Sequence, residues 1–324
     1  MRNFLRNQLI ILLSKSSILV GGQAVIEGVM MRVPGFIATS VRNPEGEIIT
    51  KRQEFVSLVH KNKHFNFPIL RGAVSLFESM KIGFGTLQWS ADIAFPEESN
   101  KQNKFVEFIM TVISIFFALS LFIFLPLGLT SWFFNAEQDP IMFNIISGVM
   151  RITIFLAYLF IISKTNDAKR LFQYHGAEHK VVYTFENGDD LNVENADKYP
   201  TQHPRCGTSF MFIVMLVAIL SFIIIDRLFI EIFGTITLLN RFAIHILFIP
   251  FVSGLGYEIL KFSSQYQKNT ILKYFIKPGL WLQNITTNKP DDKQLEVSLE
   301  ALKSAFGDTL GEYNGKKHIA DAIG

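Results

Sequence analysis

The run His175-Gly176-Ala177-Glu178-His179 holds the residue types best suited to chemistry in this chain. Two histidines four positions apart project from one face of a helix, so both imidazoles reach a single metal ion. Glu178 occupies the adjoining strip, where it is placed to take a proton from a metal-bound water. The H-x-x-E-H spelling is shared with the inverzincin metallopeptidases, but five residues carry over geometry only, not a substrate. A catalytic zinc takes a third protein ligand. Glu186, seven residues after His179 and two turns along the same face, is one candidate. His203 and Cys206, in the turn-like His203-Pro204-Arg205-Cys206-Gly207, are the others. Three of the seven histidines and the only cysteine fall within 32 residues, and such clustering favours a site. The ion these donors suit is a divalent transition metal, zinc first. The competing reading is a solvated histidine pair, with Glu178 bound to Lys180 or Arg170.

Other charged residues are weaker candidates. Glu27 is the only charge between Ala24 and Met31; it either lines the same site as a further ligand or faces water from a half-buried strand or helix. Arg151 and His245 lie inside apolar stretches, where charge is costly, and a structural role is expected for both. Glu258, beside Tyr257, is a remote ligand candidate.

The elements that must hold these residues are mostly helical and apolar. Asn166-Asp167 can cap a helix running to about Glu186, which Asn187-Gly188 stops. Of 324 residues, 49% are hydrophobic and 18% charged, and the 32 Phe exceed what a soluble core needs. A membrane crossing takes about 20 apolar residues. Four stretches qualify: Phe105 to Leu125, ended by Pro126; Ile141 to Ser163; Thr208 to Ile225; and Ile232 to about Gly254. The last is interrupted by Asn240-Arg241 and bent at Pro250, so a tilted or re-entrant segment stays open there.

The link from Pro126 to Pro140 has Glu137 and Asp139 but no Lys or Arg, whereas the segment up to Lys104 has 13. Lys164, Lys169 and Arg170 follow the second stretch, and Lys261, Lys268, Lys273 and Lys277 the fourth. This asymmetry predicts a multi-pass protein of the cell (inner) membrane with both termini and the 164–207 loop in the cytoplasm. The short apolar run Leu9 to Leu13 resembles a signal-peptide core, but Lys15 interrupts it and no small-x-small site follows before Gly21-Gly22; a retained interfacial or packed segment is expected. The net charge of +3 is spread along the chain and gives no case for nucleic-acid binding.

Phe36 to Phe55 alternates around an Asn43-Pro44-Glu45-Gly46 turn and reads as a β-hairpin. Leu70 to Ala94 reads as an amphipathic helix ended by Pro96, and a short one with Leu295, Leu299 and Leu302 on one face follows Pro290. The expected fold class is therefore a polytopic α-helical membrane protein of about four transmembrane helices, with a small α+β N-terminal region. Its parts are a cytoplasmic region (1–104), a transmembrane hairpin (105–163), a cytoplasmic loop carrying the H-x-x-E-H helix (164–207), a second hairpin (208–257) and a cytoplasmic tail (258–324).

Several longer runs are distinctive: Gly21-Gly22-Gln23-Ala24-Val25-Ile26-Glu27-Gly28-Val29-Met30-Met31-Arg32, Arg71-Gly72, Tyr174 to Lys180, His203 to Ser209, and Pro278-Gly279-Leu280-Trp281-Leu282-Gln283 continuing through Thr286-Thr287 to Pro290-Asp291-Asp292. With these the chain resembles the YqhQ-like family of bacterial membrane proteins over nearly its whole length after residue 20. The resemblance implies a domain of unknown function described as a predicted metal-dependent enzyme, with no reaction attached. Two functions follow as expectations. The first is a metal-dependent, hydrolase-like enzyme at the membrane surface, with His175 and His179 on the metal, Glu178 as general base, and a lipid-linked or membrane-protein substrate. The second is a non-catalytic scaffold or assembly factor with a structural metal or none. A small transporter using Arg151 and His245 ranks last, since four spans are few and no paired broken helices stand out.

Overall fold

The computed structural model describes residues 18, 20–99, 104–134, 137–265 and 270–318. The apolar run Leu9 to Leu13 lies outside them. Numbering only helices of nine or more residues, the described chain runs β1 (Gly21–Val25), β2 (Gly28–Val33), β3 (Phe36–Arg42), β4 (Ile48–Glu54), α1 (Leu70–Ala94), α2 (Lys104–Leu119), α3 (Leu125–Phe133), α4 (Pro140–Ile162), α5 (Asn166–Asn187), α6 (Gly207–Phe233), α7 (Leu238–Gln265), α8 (Thr270–Thr286) and α9 (Asp292–Phe306).

The four strands form one antiparallel meander in the order β1-β2-β3-β4. The expected hairpin is its second half, with Phe36 paired to Glu54 and Arg42 to Ile48. Its turn closes through Asn43 and Gly46, which takes φ +90°. The first half, β1 and β2, is the run around Glu27 that the residue pattern leaves undecided between strand and helix. Period-two alternation sends the strands' side chains to two cores. Val29, Met31 and Val33 pack with Tyr174, Val181 and Phe185 of α5 and with Leu295, Leu299 and Leu302 of α9. Val25, Met30, Ile37 and Val41 pack on the other face with Ile82, Leu87 and Trp89 of α1. A strand buried on both faces loses its polar alternation, which is why β2 does not read as one.

Four helices are long and apolar enough to cross a membrane: Phe108–Phe133, Pro140–Ile162, Met211–Phe233 and Leu238–Phe262. Three boundaries differ from the residue pattern. The first helical stretch continues through Pro126 to Phe133. A π turn at Ser120–Phe124 widens the hydrogen-bond ladder just ahead of the proline, whose ring would otherwise meet the carbonyl one turn back. The third passes through Asp226-Arg227 and takes in Ile232 and Phe233, so the fourth starts at Leu238 and not at Ile232, and it is continuous through Asn240-Arg241 and Pro250. The charges do not end these helices because they satisfy each other. Asp226 accepts from Arg241 Nε at 2.9 Å, from Asn144 Nδ2 at 2.7 Å and from His245 Nε2 at 3.2 Å.

The strand and helix regions join at two close contacts. A Cβ on Gly72 of α1 would sit 2.7 Å from Tyr257 Cβ and 2.9 Å from Gly254 Cα, so the two backbones touch. Arg71 clamps Glu258 through Nε–Oε1 at 2.6 Å beside that contact, which raises the Arg71 pKa, first through that hydrogen bond. Glu258 is thereby committed to Arg71, away from the histidines.

Candidate metal centre

Helix α5 begins at Thr165, whose hydroxyl accepts from the Ala168 N–H at 3.3 Å. The cap is thus one residue before the expected Asn166-Asp167. It ends at Gly188 in the left-handed conformation, φ +76°, at the expected stop. His175 and His179 lie one turn apart on the buried side, with ring centroids 4.5 Å apart.

Each ring is oriented by a backbone carbonyl from another part of the chain. His175 Nδ1 meets the Thr286 carbonyl at 2.8 Å, and His179 Nδ1 meets the Thr201 carbonyl. A carbonyl accepts only from N–H, so Nδ1 carries a proton on both rings, and in the neutral tautomer the lone pair is on Nε2. Cys206 Sγ lies 3.2 Å from His175 Nε2. The ligand atoms of His175, His179 and Cys206 all fall within 4.8 Å of one another. Ordinary zinc bond lengths separate two tetrahedral ligands by about 3.3–3.7 Å, so the set is close to the spacing an ion needs. Cys206 caps α6, its sulfur accepting from the Thr208 N–H and hydroxyl at 3.5 and 3.2 Å.

Glu178 is buried beside this trio, with Oε2 3.4 Å from His179 Nε2. Strand β1 passes over it: a Cβ on Gly22 would stand 2.7 Å from Glu178 Cγ. Burial raises the Glu178 pKa, opposed by His175, His203, the Gly22 N–H and Arg205. Burial lowers the pKa of His179 and of His203, favouring the neutral imidazole that ligates metals. Glu178 pairs with neither Lys180 nor Arg170: Lys180 binds Asp197 Oδ1 at 2.9 Å, and Arg170 binds Glu27.

The remaining candidates sit near the trio without joining it. His203 is buried, its ring centroid 5.6 Å from that of His179. Its Nδ1 accepts from the Arg205 N–H at 3.3 Å, which directs Nε2 toward Glu186 at 3.5 Å. Glu186 is ion-paired with Arg205. Glu27, at φ +51° in the turn between β1 and β2, holds Arg170 and lies 3.3 Å from the Tyr174 hydroxyl. It anchors the sheet to the start of α5 from a half-buried position.

Residue types alone do not single out four positioning residues. Gln283 is fully buried and braces the His203 backbone in both directions, accepting from its N–H at 2.7 Å and donating to its carbonyl at 2.9 Å. Gly176 lets the Asn288 carbonyl lie against α5, where any Cβ would collide with it. Thr201 and Thr286 act through their backbones, which no side-chain pattern reveals. The signal for Gln283, Thr286 and Gly176 is that each lies in one of the distinctive runs.

The family model described as "Protein of unknown function (DUF1385)" matches residues 67–308, which hold all of α1 to α9 and every residue of the trio. The chain is 29% identical over 323 residues to "Uncharacterized protein YqhQ" of Bacillus subtilis (strain 168), covering 91% of this chain and 95% of that one. No solved structure matches. A match over this much of its length makes the chain a member of the DUF1385 family, whose function is unknown.

Proposed function

We propose that this chain is a multi-pass protein of the cell (inner) membrane that holds a divalent transition metal, zinc first, at His175, His179 and Cys206, and acts as a metal-dependent hydrolase at the cytoplasmic surface. The observation that carries the metal reading is the pair of Nδ1–carbonyl contacts, which leave both Nε2 atoms as the ligating nitrogens, that of His175 in contact with a thiol. Such outer hydrogen bonds fix tautomer and ring orientation at metal-ligating histidines. Two imidazoles and a sulfur are zinc's preferred donor chemistry. The membrane reading rests on the four long apolar helices, which turn residues such as Phe116, Ile161, Leu220 and Leu247 outward. The Lys and Arg flanking them set the direction.

Bound zinc would supply Lewis acidity and a water of lowered pKa. The chain's own contribution is the proton. Glu178, desolvated and raised in pKa, accepts a proton more readily than an exposed carboxylate. Gly22 and the sheet exclude water from its far side. The substrate class this position suits is a lipid-linked or membrane-protein one, presented from the bilayer surface.

A second reading is favoured by one observation: His179, Cys206 and Glu178 are all buried, as in a closed structural site. There the metal would staple α5 to α6 in a scaffold protein. Metal analysis of detergent-purified protein, beside a variant with His175 and His179 both changed to Ala, tests the site itself. Near-stoichiometric zinc lost in the variant supports it; no metal in either protein, with none taken up on addition, sinks both metal readings. X-ray absorption then separates them. Three protein donors plus one light oxygen, unchanged in Glu178→Gln, supports the enzyme; four protein donors supports the staple.

A further inference from the structure

A cavity of about 190 Å³ lies among the four apolar helices, lined by Phe122, Arg151, Met215, Phe222, His245 and Ile249, among others. Almost everything on its wall is hydrocarbon, yet it contains an arginine. Arg151 lies midway along α4, its Nε is buried, and it has no hydrogen-bond partner or acidic partner among the described residues. The buried carboxylate of this bundle, Asp226, is already matched by Arg241, Asn144 and His245. His245 adds a second buried polar atom without a partner, Nδ1, on a ring stacked 3.8 Å from Phe222.

Two interruptions of regular helix coincide with this cavity. Phe122 and Ile123 come from the π turn at Ser120–Phe124. Ile249, Val252 and Ser253 flank Pro250, which leaves the Ile246 carbonyl without its usual donor. Within a membrane, irregular backbone is tolerated where it lines a cavity, and π turns concentrate at functional sites.

We propose that this cavity binds the carboxylate end of a long-chain fatty acid, with Arg151 as its counter-ion. The proposal rests on the reading that these four helices span a membrane. A guanidinium keeps its proton inside proteins, so its charge needs an anion at this depth. One unmatched arginine balances one negative charge, and its planar fork fits a carboxylate through two hydrogen bonds. The apolar wall suits a methylene chain. The volume is below the roughly 300–1,000 Å³ of pockets that enclose a whole drug-sized ligand. It therefore takes the carboxyl end and the first methylenes, with the rest of the chain lying among lipid tails. A diacyl phospholipid, bulkier and more heavily hydrated at its phosphate, fits less well.

The test uses the full chain in phosphatidylcholine nanodiscs with a palmitic acid analogue bearing a diazirine near its carboxyl. Saturable crosslinks are expected on the Ser120–Phe124, Met215–Phe222 and Ile249–Ser253 stretches. They should be competed by palmitic acid but not by phosphatidylglycerol, and fall at least tenfold in Arg151→Gln. Ala218→Phe, which fills the cavity and keeps the charge, should lower labelling as much, so the result does not hang on one variant. Crosslinks spread without saturation, or unchanged in both variants, overturn the proposal. Equal competition by phosphatidylglycerol overturns the fatty acid as occupant and assigns a phospholipid. Release of the chain from native membranes by alkaline carbonate would refute the membrane reading, a distinguishable result that removes this site with it.

Discussion

The Asp226–Arg241 pair gives the sharpest quantitative check on the helix bundle. Both side chains are fully buried, and their contact is 2.9 Å. Changing Asp226 to Asn keeps the shape and the acceptor for Asn144 but leaves Arg241 charged and unmatched. Breaking a buried pair from one side costs about 3–5 kcal/mol. Arg241 retains two supports, the Glu137 carbonyl at 2.5 Å and the Phe143 ring at 3.7 Å. A desolvated cation–π contact contributes up to about 2 kcal/mol, which places the expected loss at the low end, about 3 kcal/mol. That is a fall of about a hundredfold in the folded-to-unfolded ratio. Replacing both partners, Asp226→Leu with Arg241→Met, removes the charges together and should return stability to within about 1 kcal/mol of the parent. Reversible unfolding in mixed micelles of rising SDS fraction reads all three proteins. Asp226→Asn within about 0.5 kcal/mol of the parent would refute the reasoning. So would a double variant as unstable as the single one, since the aspartate would then act through Asn144 and His245 instead of Arg241.

Gly22→Ala places a methyl against the Glu178 side chain and should cost about 1–3 kcal/mol by overpacking, visible in chemical denaturation and absent for Gly21→Ala, where nothing lies within 4 Å. Gln283→Leu orphans the buried N–H and carbonyl of His203; about 1–3 kcal/mol for each group lost sets the expected destabilisation, and hydrogen exchange at His203 should quicken. The Asp197 carboxyl is held below its ordinary value, chiefly by the hydrogen bond from Lys180. It therefore stays ionised in the folded chain after the unfolded chain has taken up its proton. The resulting stability is complete above about pH 4 and is lost as pH falls through the folded value, so Asp197→Asn should flatten the acid limb of a stability–pH curve.

Local period and local chemistry were legible in the sequence, and long-range compensation was not. The β3–β4 hairpin and the range of α1 follow from alternation, turn residues and proline. The trio's histidines follow from helix spacing, and Cys206 from its crowding with them. The residue pattern stops the third stretch before Asp226 and interrupts the fourth at Asn240-Arg241 because each charge looks disqualifying alone, and only packing of α6 on α7 reveals that they neutralise one another. Strand β2 escaped because burial on both faces removes the polar beat, and β1, Gly-Gly-Gln-Ala-Val, is too short and glycine-rich to show one. Glu186 had the right residue type and spacing for a ligand, but the neighbouring Arg205 engages its carboxylate, which residue spacing does not reveal.

The contact between His175 Nδ1 and the Thr286 carbonyl spans 111 residues of sequence. That span has a consequence for the order of events during synthesis. At about 5–20 residues per second, the ribosome needs about 6–22 seconds after making His175 before its orienting carbonyl exists. In that interval α6 and α7, the helices of the second hairpin, must be made. Until they are, His175 has no fixed tautomer and Gly176 has no strand of backbone at Asn288 against it. The donor set is therefore completed only once α8 is made, and its completion reports that the helices between His175 and Thr286 are in place.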